Sequence, residues 1–148
     1  MVTVQDPQKY RKVSLVFIAV VLAGVTLLFT ILQHTGVSVL WGEDHFTVKA
    51  PMMERTVRYD DVSRLELREN VAYGSRTWGA DYITGMSGRF KNQEFGNYFC
   101  AVYKKPEQCI VVETPQGILA FNASEDAKTR EWFEELCTHM GPQVRIER

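Results

Sequence analysis

From Val13 to Leu32 the sequence reads VSLVFIAVVLAGVTLLFTIL, a run of 20 residues without a charge. Its polar side chains are Ser14, Thr26 and Thr30, whose hydroxyls can bond back to carbonyls of the preceding helical turn. At about 1.5 Å per residue such a helix is roughly 30 Å long, the thickness of a bilayer's hydrocarbon core. In a chain of 148 residues a helix this long and apolar on every face is too large to be the core of a soluble domain. A cleaved signal peptide has a shorter apolar core, about 7 to 15 residues, and a small-residue cleavage site. Gln33-His34-Thr35-Gly36 offers no such site. The expectation is an uncleaved single-pass anchor over residues 13–33, preceded by a short basic arm, 1–12.

Charge then suggests an orientation. Lys9, Arg11 and Lys12 stand against Asp6 in the arm, a local excess of +2, while the other flank of the apolar run meets Glu43 and Asp44 before Lys49. Basic residues are retained on the cytoplasmic side, which places the N-terminus in the cytoplasm and the following domain outside it. The whole chain carries a net charge of -1, so the part after the arm sits at -3. A nucleic-acid binder concentrates Lys and Arg on its folded domain to neutralise phosphates. This chain does not, and nucleic acid is excluded as an expected partner.

The remaining length suits one domain, residues 34–142, with a C-terminal tail at 143–148. Val37–Trp41 and His45–Ala50 are apolar, β-branched runs separated by Gly42-Glu43-Asp44, a hairpin signal. Thr56–Tyr59 continues the meander. Arg64-Leu65-Glu66-Leu67-Arg68 alternates strictly, so Leu65 and Leu67 face a core and the charged residues face water. Asn97–Tyr103, Cys109–Glu113 and Ile118–Phe121 supply further strands, punctuated by Lys105-Pro106 and Pro115-Gln116-Gly117. A helix is expected from about Ser124 to Met140, capped by Ser124 or Asn122. Its apolar stripe of Trp132, Phe133, Leu136, Cys137 and Met140 lies on the sheet, and Gly141-Pro142 ends it.

Catalytic, metal and cofactor sites are not expected. Cys100, Cys109 and Cys137 form neither a CxxC motif nor a disulfide-scaffold spacing. A turn at Lys105-Pro106-Glu107-Gln108 would pair Cys109 with Lys104 and leave Cys100 opposite Glu113, which argues for two buried thiols rather than a disulfide. His34, His45 and His139 have no partner at motif spacing and read as polar surface residues. Asp60 and Asp61 are adjacent, so on a strand entry they point opposite ways and serve a turn rather than acid–base chemistry. Asn122-Ala123-Ser124 matches a glycosylation sequon, but its place at the helix start favours capping.

The most unusual stretch is GSRTWGADYITGMSGRFKNQEFG, residues 74–96, with five glycines among Trp78, Tyr82, Phe90 and Phe95. It lacks the GK[ST] signature of a nucleotide loop. The glycines would let a long connection fold back over the domain with the aromatics packed beneath it. If a ligand or partner is recognised there, Arg76, Trp78, Tyr82 and Arg89 are the candidate contacts.

The order of these pieces carries a resemblance. Tyr59-Asp60-Asp61-Val62, then Leu65 to Glu69, Arg76 to Gly79, Gly88-Arg89-Phe90, Phe95-Gly96, a strand with Tyr103, and Ile118–Asn122 leading into Asp126–Leu136 resemble the bacterial pleckstrin-homology-like domains attached to membrane helices. The match covers most of residues 37–140. It implies a mainly β, PH-like barrel of two nearly orthogonal antiparallel sheets with one C-terminal helix, preceded here by one transmembrane helix in a bacterial cell membrane. It also implies a non-catalytic module for protein interaction or self-assembly, its partner another protein or a second copy. Relatives that bind phosphoinositides use basic residues around the first hairpin; the turn here is Gly42-Glu43-Asp44, so that ligand is not expected. Members of this type often have two membrane helices and a cytoplasmic domain, whereas this sequence shows one. Two rival readings are a ligand sensor built on residues 74–96 and a membrane-attached thiol redox protein using Cys100 and Cys109.

Overall fold

The computed structural model describes the backbone of residues 7–34 and 36–148 and the side chains of 14–31 and 36–148. Asp6 and Thr35, and the side chains of Lys9, Arg11, Lys12, Gln33 and His34 on which the orientation and the anchor's flanks were read, lie outside the described residues. The chain divides into two units, residues 1–34 and 35–148.

The first unit is α1 (Pro7–His34). Within it, Ser14–Ile31 is long and apolar enough to cross a membrane, and none of that window is buried. The hydroxyls of Thr26 and Thr30 donate to the carbonyls of Leu22 and Thr26, each at 2.8 Å, which satisfies both polar groups within the helix itself.

The second unit is mainly β. β1 (Ser38–Trp41), β2 (His45–Ala50) and β3 (Met53–Arg58) form an antiparallel three-stranded sheet. A 3-10 turn at Tyr59–Asp61 leads to β4 (Arg64–Glu69). β5 (Ser75–Asp81), β6 (Gly85–Asn92), β7 (Gly96–Tyr103), β8 (Gln108–Thr114), β9 (Gly117–Phe121) and, after helix α2 (Asp126–His139), β10 (Arg145–Glu147) complete the unit. The second sheet has seven strands in the order β10-β4-β8-β9-β7-β6-β5. The two sheets are not closed into a barrel, and the larger one is mixed, with β7 parallel to β9 and β10 parallel to β4. Residues 145–147, within the expected tail, thus add an edge strand.

The main core lies where both sheets and α2 meet. Phe46, Phe121 and Phe133 are fully buried there, and each stabilises the fold by roughly 1.5–3 kcal/mol through the water it sheds. A chain of rings links the layers: Tyr59 to Phe46 at 5.9 Å, Phe46 to Phe121 at 6.0 Å, and Phe121 to Trp132 of α2 at 6.4 Å. On the opposite face of the seven-stranded sheet a second cluster gathers Phe90, Tyr98, Cys100, Val102, Cys109, Val111 and Ala120 beneath Val71, Tyr73 and Phe95.

Four expectations need correction. β7 and β8 do not form a hairpin, because β9 runs between them, so Cys109 does not pair with Lys104 nor Cys100 with Glu113. The chain bends at Lys104, Lys105 and Glu107, but β9 is apolar on both faces, with Leu119 and Phe121 in one cluster and Ala120 in the other. A strand buried on both faces gains most in the centre of a sheet. Residues 74–96, expected as a folded-back connection, form the β5–β6 hairpin and enter β7. Gly79 and Gly88 face each other across that hairpin with φ of 124° and 130°, and a Cβ on either would strike the partner strand's backbone. Glu125, rather than Ser124 or Asn122, occupies the N-cap position of α2, without a side-chain cap bond. The Asn122 amide is buried between strands instead and donates to the carbonyl of Gln108 at 3.2 Å. Finally, the charges of β4 do not face open water. Glu66 is held between Arg64 at 2.8 Å and Arg68 at 2.7 Å, while Leu65 is buried and Leu67 packs on the core.

Candidate functional site

At the outer end of the seven-stranded sheet, β5 has no strand on its far side among the described residues. Its register with β6 slips between Arg76 and Trp78, leaving Thr77 as a bulge whose hydroxyl donates to the Arg89 carbonyl at 3.2 Å. The slip sets Arg76 opposite Phe90 and Trp78 opposite Arg89. Because successive residues of β6 face opposite ways, Arg76 and Trp78 are turned to different faces of the sheet. Bulges recur where an edge strand must redirect a side chain or resist further pairing.

Trp78 and Arg89 face the three-stranded sheet, where a groove of about 610 Å³ opens between the layers. Met52 and Arg55 line it from the β2–β3 side, and Phe99 of β7 forms its floor. The Arg55 guanidinium lies over the Phe99 ring, 3.9 Å from its centroid, and Arg89, the cross-strand partner of Phe99, stands over the same ring at 5.6 Å. An aromatic face attracts cations through its quadrupole, so one ring holds two guanidinium groups on the groove. Glu54 lines it too, but its carboxylate is taken by Lys49 at 3.3 Å. Among the described residues, Arg55 and Arg89 have no carboxylate partner. A second hollow of about 450 Å³ adjoins, sharing Thr77, Arg89 and Phe99.

Of the four residues singled out in the sequence, the structure brings Trp78 and Arg89 together on this groove. Trp78 is 54% exposed. Arg76 lies on the other side of the bulge. Tyr82 stands at the tip of the β5–β6 hairpin, its ring beside Gly85 and its phenol pushed up to about 12 by burial, with the nearby Tyr103 adding to the shift. Its carbonyl accepts from Lys104 at 3.0 Å, and Lys104 also holds Asp81 at 2.6 Å. Arg55, Phe99 and Met52 were missed. Phe99 reads as an ordinary core residue of an apolar strand, and nothing local to Arg55 says that its side chain crosses to the other sheet.

The first hairpin turn is acidic and bonded within itself. Asp44 accepts from the His45 ring at 2.7 Å and faces Arg58 at 3.9 Å, and the His45 bond holds its carboxyl below the usual carboxylate range. The thiols of Cys100 and Cys109 are both free and fully buried. Burial raises Cys100 well above an ordinary thiol and pushes Cys109 up to about 12, against a smaller lowering by the Tyr73 hydroxyl. Thiol chemistry runs through the thiolate, so this environment holds both groups in their unreactive form. His139 is no simple surface group: its ring stacks on Tyr59 at 4.3 Å with the planes 2° apart.

A family model described as a bacterial PH domain matches residues 37–128. No curated protein and no solved structure matches the chain.

Proposed function

The chain belongs to the bacterial PH domain family, and from that premise we infer that it is a membrane-anchored, non-catalytic module that binds another protein or a second copy of itself through the groove of Arg55, Trp78, Arg89 and Phe99. A PH-like domain is in general a non-catalytic module. The observation that carries the reading is the pair of guanidinium groups over one ring, without carboxylate partners, beside an exposed tryptophan on an open sheet edge. Arg and Trp dominate the energetics of protein contacts because they present large, partly apolar area with fixed hydrogen-bond geometry. In this reading α1 is an uncleaved anchor, supported by its 18-residue apolar window, and the basic arm directs the N-terminus to the cytoplasm and the domain to the extracytoplasmic face of a bacterial cell membrane.

A photo-crosslinking amino acid placed at Trp78 in the full-length chain in cells tests the groove, with the same group at Lys128 on the exposed face of α2 as reference. The expected result is a discrete adduct from position 78 that disappears in Arg55→Ala and Arg89→Ala chains. Equal adducts from both positions, or none from 78, would remove the assignment. Extraction of membranes with carbonate, followed by flotation, tests the anchor, and protease access to the domain in intact cells tests its side.

A further inference from the structure

The arginines of the second unit are used in different ways. Arg58, Arg64, Arg68, Arg145 and Arg148 each face a carboxylate of the same chain. Arg55 and Arg89 face none among the described residues, yet their guanidinium groups meet on one ring, 3.9 and 5.6 Å from the centroid of Phe99. Glu54, the acid that lines the same groove, is taken by Lys49, so the chain does not neutralise the pair itself. A guanidinium carries five N–H donors and no acceptor, and two like charges gathered at one ring repel each other. An anion in the groove would supply the missing acceptors and relieve the repulsion. A carboxylate suits the task, because it meets a guanidinium through two parallel bonds.

The surroundings of the two arginines select among sources of negative charge. Trp78 and Met52, both exposed, line the groove beside them, and a bare phosphate or lipid headgroup would leave that apolar surface in water. The adjoining hollow, which shares Thr77, Arg89 and Phe99, adds Asn97 and Gln116, whose amides are of the kind that bond peptide groups. Beyond the N-terminal arm the chain sits at -3, a balance that opposes a densely anionic surface more than it opposes one carboxylate. Nor do the acidic turns of this chain offer an extended segment to a second copy. Asp44 holds His45 and Arg58, and Asp60 and Asp61 are wound into the 3-10 turn after β3.

We propose that the groove recognises an extended acidic segment of a partner protein, with an Asp or Glu carboxylate held by Arg55 and Arg89 and an apolar side chain of the same segment on Trp78. The proposal rests on the groove reading above and gives the partner its chemistry. The carboxylate fixes which segments bind, because its neutral amide leaves both guanidinium groups without a charged acceptor; the tryptophan adds contact area.

The test selects short random peptides, displayed on phage, on the full-length chain in detergent micelles. An Arg55→Gln, Arg89→Gln chain whose thermal melt matches the parent serves in parallel. Should that chain not fold, Arg89→Lys replaces it, keeping the charge and losing the bidentate fork. The expected outcome is enrichment of Asp or Glu together with an apolar residue. Changing the acid of a selected peptide to its amide, which leaves the protein untouched, should weaken binding by about tenfold or more. No selected peptide, no acidic excess over the starting library, equal binding of acid and amide, or equal binding to the arginine variant each overturns the inference. If the photo-crosslinker at position 78 still yields its arginine-dependent adduct, the groove reading survives that result; without the adduct both fall. Loss of the adduct on adding inorganic phosphate or short-chain phosphatidylglycerol shows a phosphate group in the groove and overturns the inference. An adduct composed of two copies of this chain overturns it as well.

Discussion

The side-chain amide of Asn122 bonds both backbone groups of Tyr103, accepting from its N–H at 2.7 Å and donating to its C=O at 3.2 Å. With the further bond to Gln108, the amide acts as one more strand residue at the point where β7 and β8 part around β9.

That arrangement makes Asn122 a keystone of the sheet. Asn122→Ala leaves buried backbone groups without partners, each worth about 1–3 kcal/mol, so urea denaturation of the full chain in detergent is expected to show a loss of at least about 2 kcal/mol. Asn122 has no exposed surface, so the sequon it begins offers no acceptor in the folded chain. A loss under about 0.5 kcal/mol would contradict the role assigned here.

Gly79→Ala places a methyl group against the Ser87 backbone and forces an L residue to φ of 124°. Strain of this kind costs on the order of 1–3 kcal/mol. Since β5 is an edge strand, the damage should be local. Hydrogen exchange is expected to speed up in β5 and β6 while β8 amides keep their protection; uniform acceleration through both regions would mean that the hairpin is not a separable unit.

Met52→Gly should act in the opposite direction. It relieves a left-handed φ of 57° at an exposed position, and the melting temperature in detergent is expected to rise by a few degrees, the equivalent of about 0.5–1 kcal/mol in a domain of this size. A lower melting temperature would show that the methionine side chain holds the turn.

Cys109 predicts the alkaline limb of stability. Burial raises its folded pKa from 9.0 to about 12, so the thiol's contribution is complete below pH 9 and is lost as pH rises from 9 towards 12, where the unfolded chain ionises and the folded chain does not. The slope is about 1.4 kcal/mol per pH unit for that one group. Chemical denaturation at pH 8, 9.5 and 11 should reveal it, and Cys109→Ala should flatten the first part of the decline. In the native chain at pH 8, Cys137 should react with maleimide well before Cys100 or Cys109; rapid labelling of either buried thiol would revive a redox reading.

Elements governed by local physics were readable directly. The apolar run of α1, the alternation of β4 around Leu65, the stripe of α2 and the hairpin at Gly42–Asp44 each depend on side chains within a few residues of one another. The order of pieces that resembles a PH-like domain is legible too, because it is read along the chain from residue 37 to residue 128. Trp78 and Arg89 could be picked out because a glycine-rich, aromatic stretch is unusual in any setting, but their shared face depends on the Thr77 bulge, and no periodicity predicts a bulge.

The sequence by itself determined that an apolar helix precedes a mainly β domain and which runs become most of its strands, because burying hydrocarbon and alternating side chains across a sheet are properties of short segments. Only the tertiary structure decided that β9 separates β7 from β8 and that Arg55 and Arg89 share the Phe99 ring. These depend on competition among strands distant in sequence for the centre of a sheet, where a strand apolar on both faces displaces the neighbour its turn had prepared.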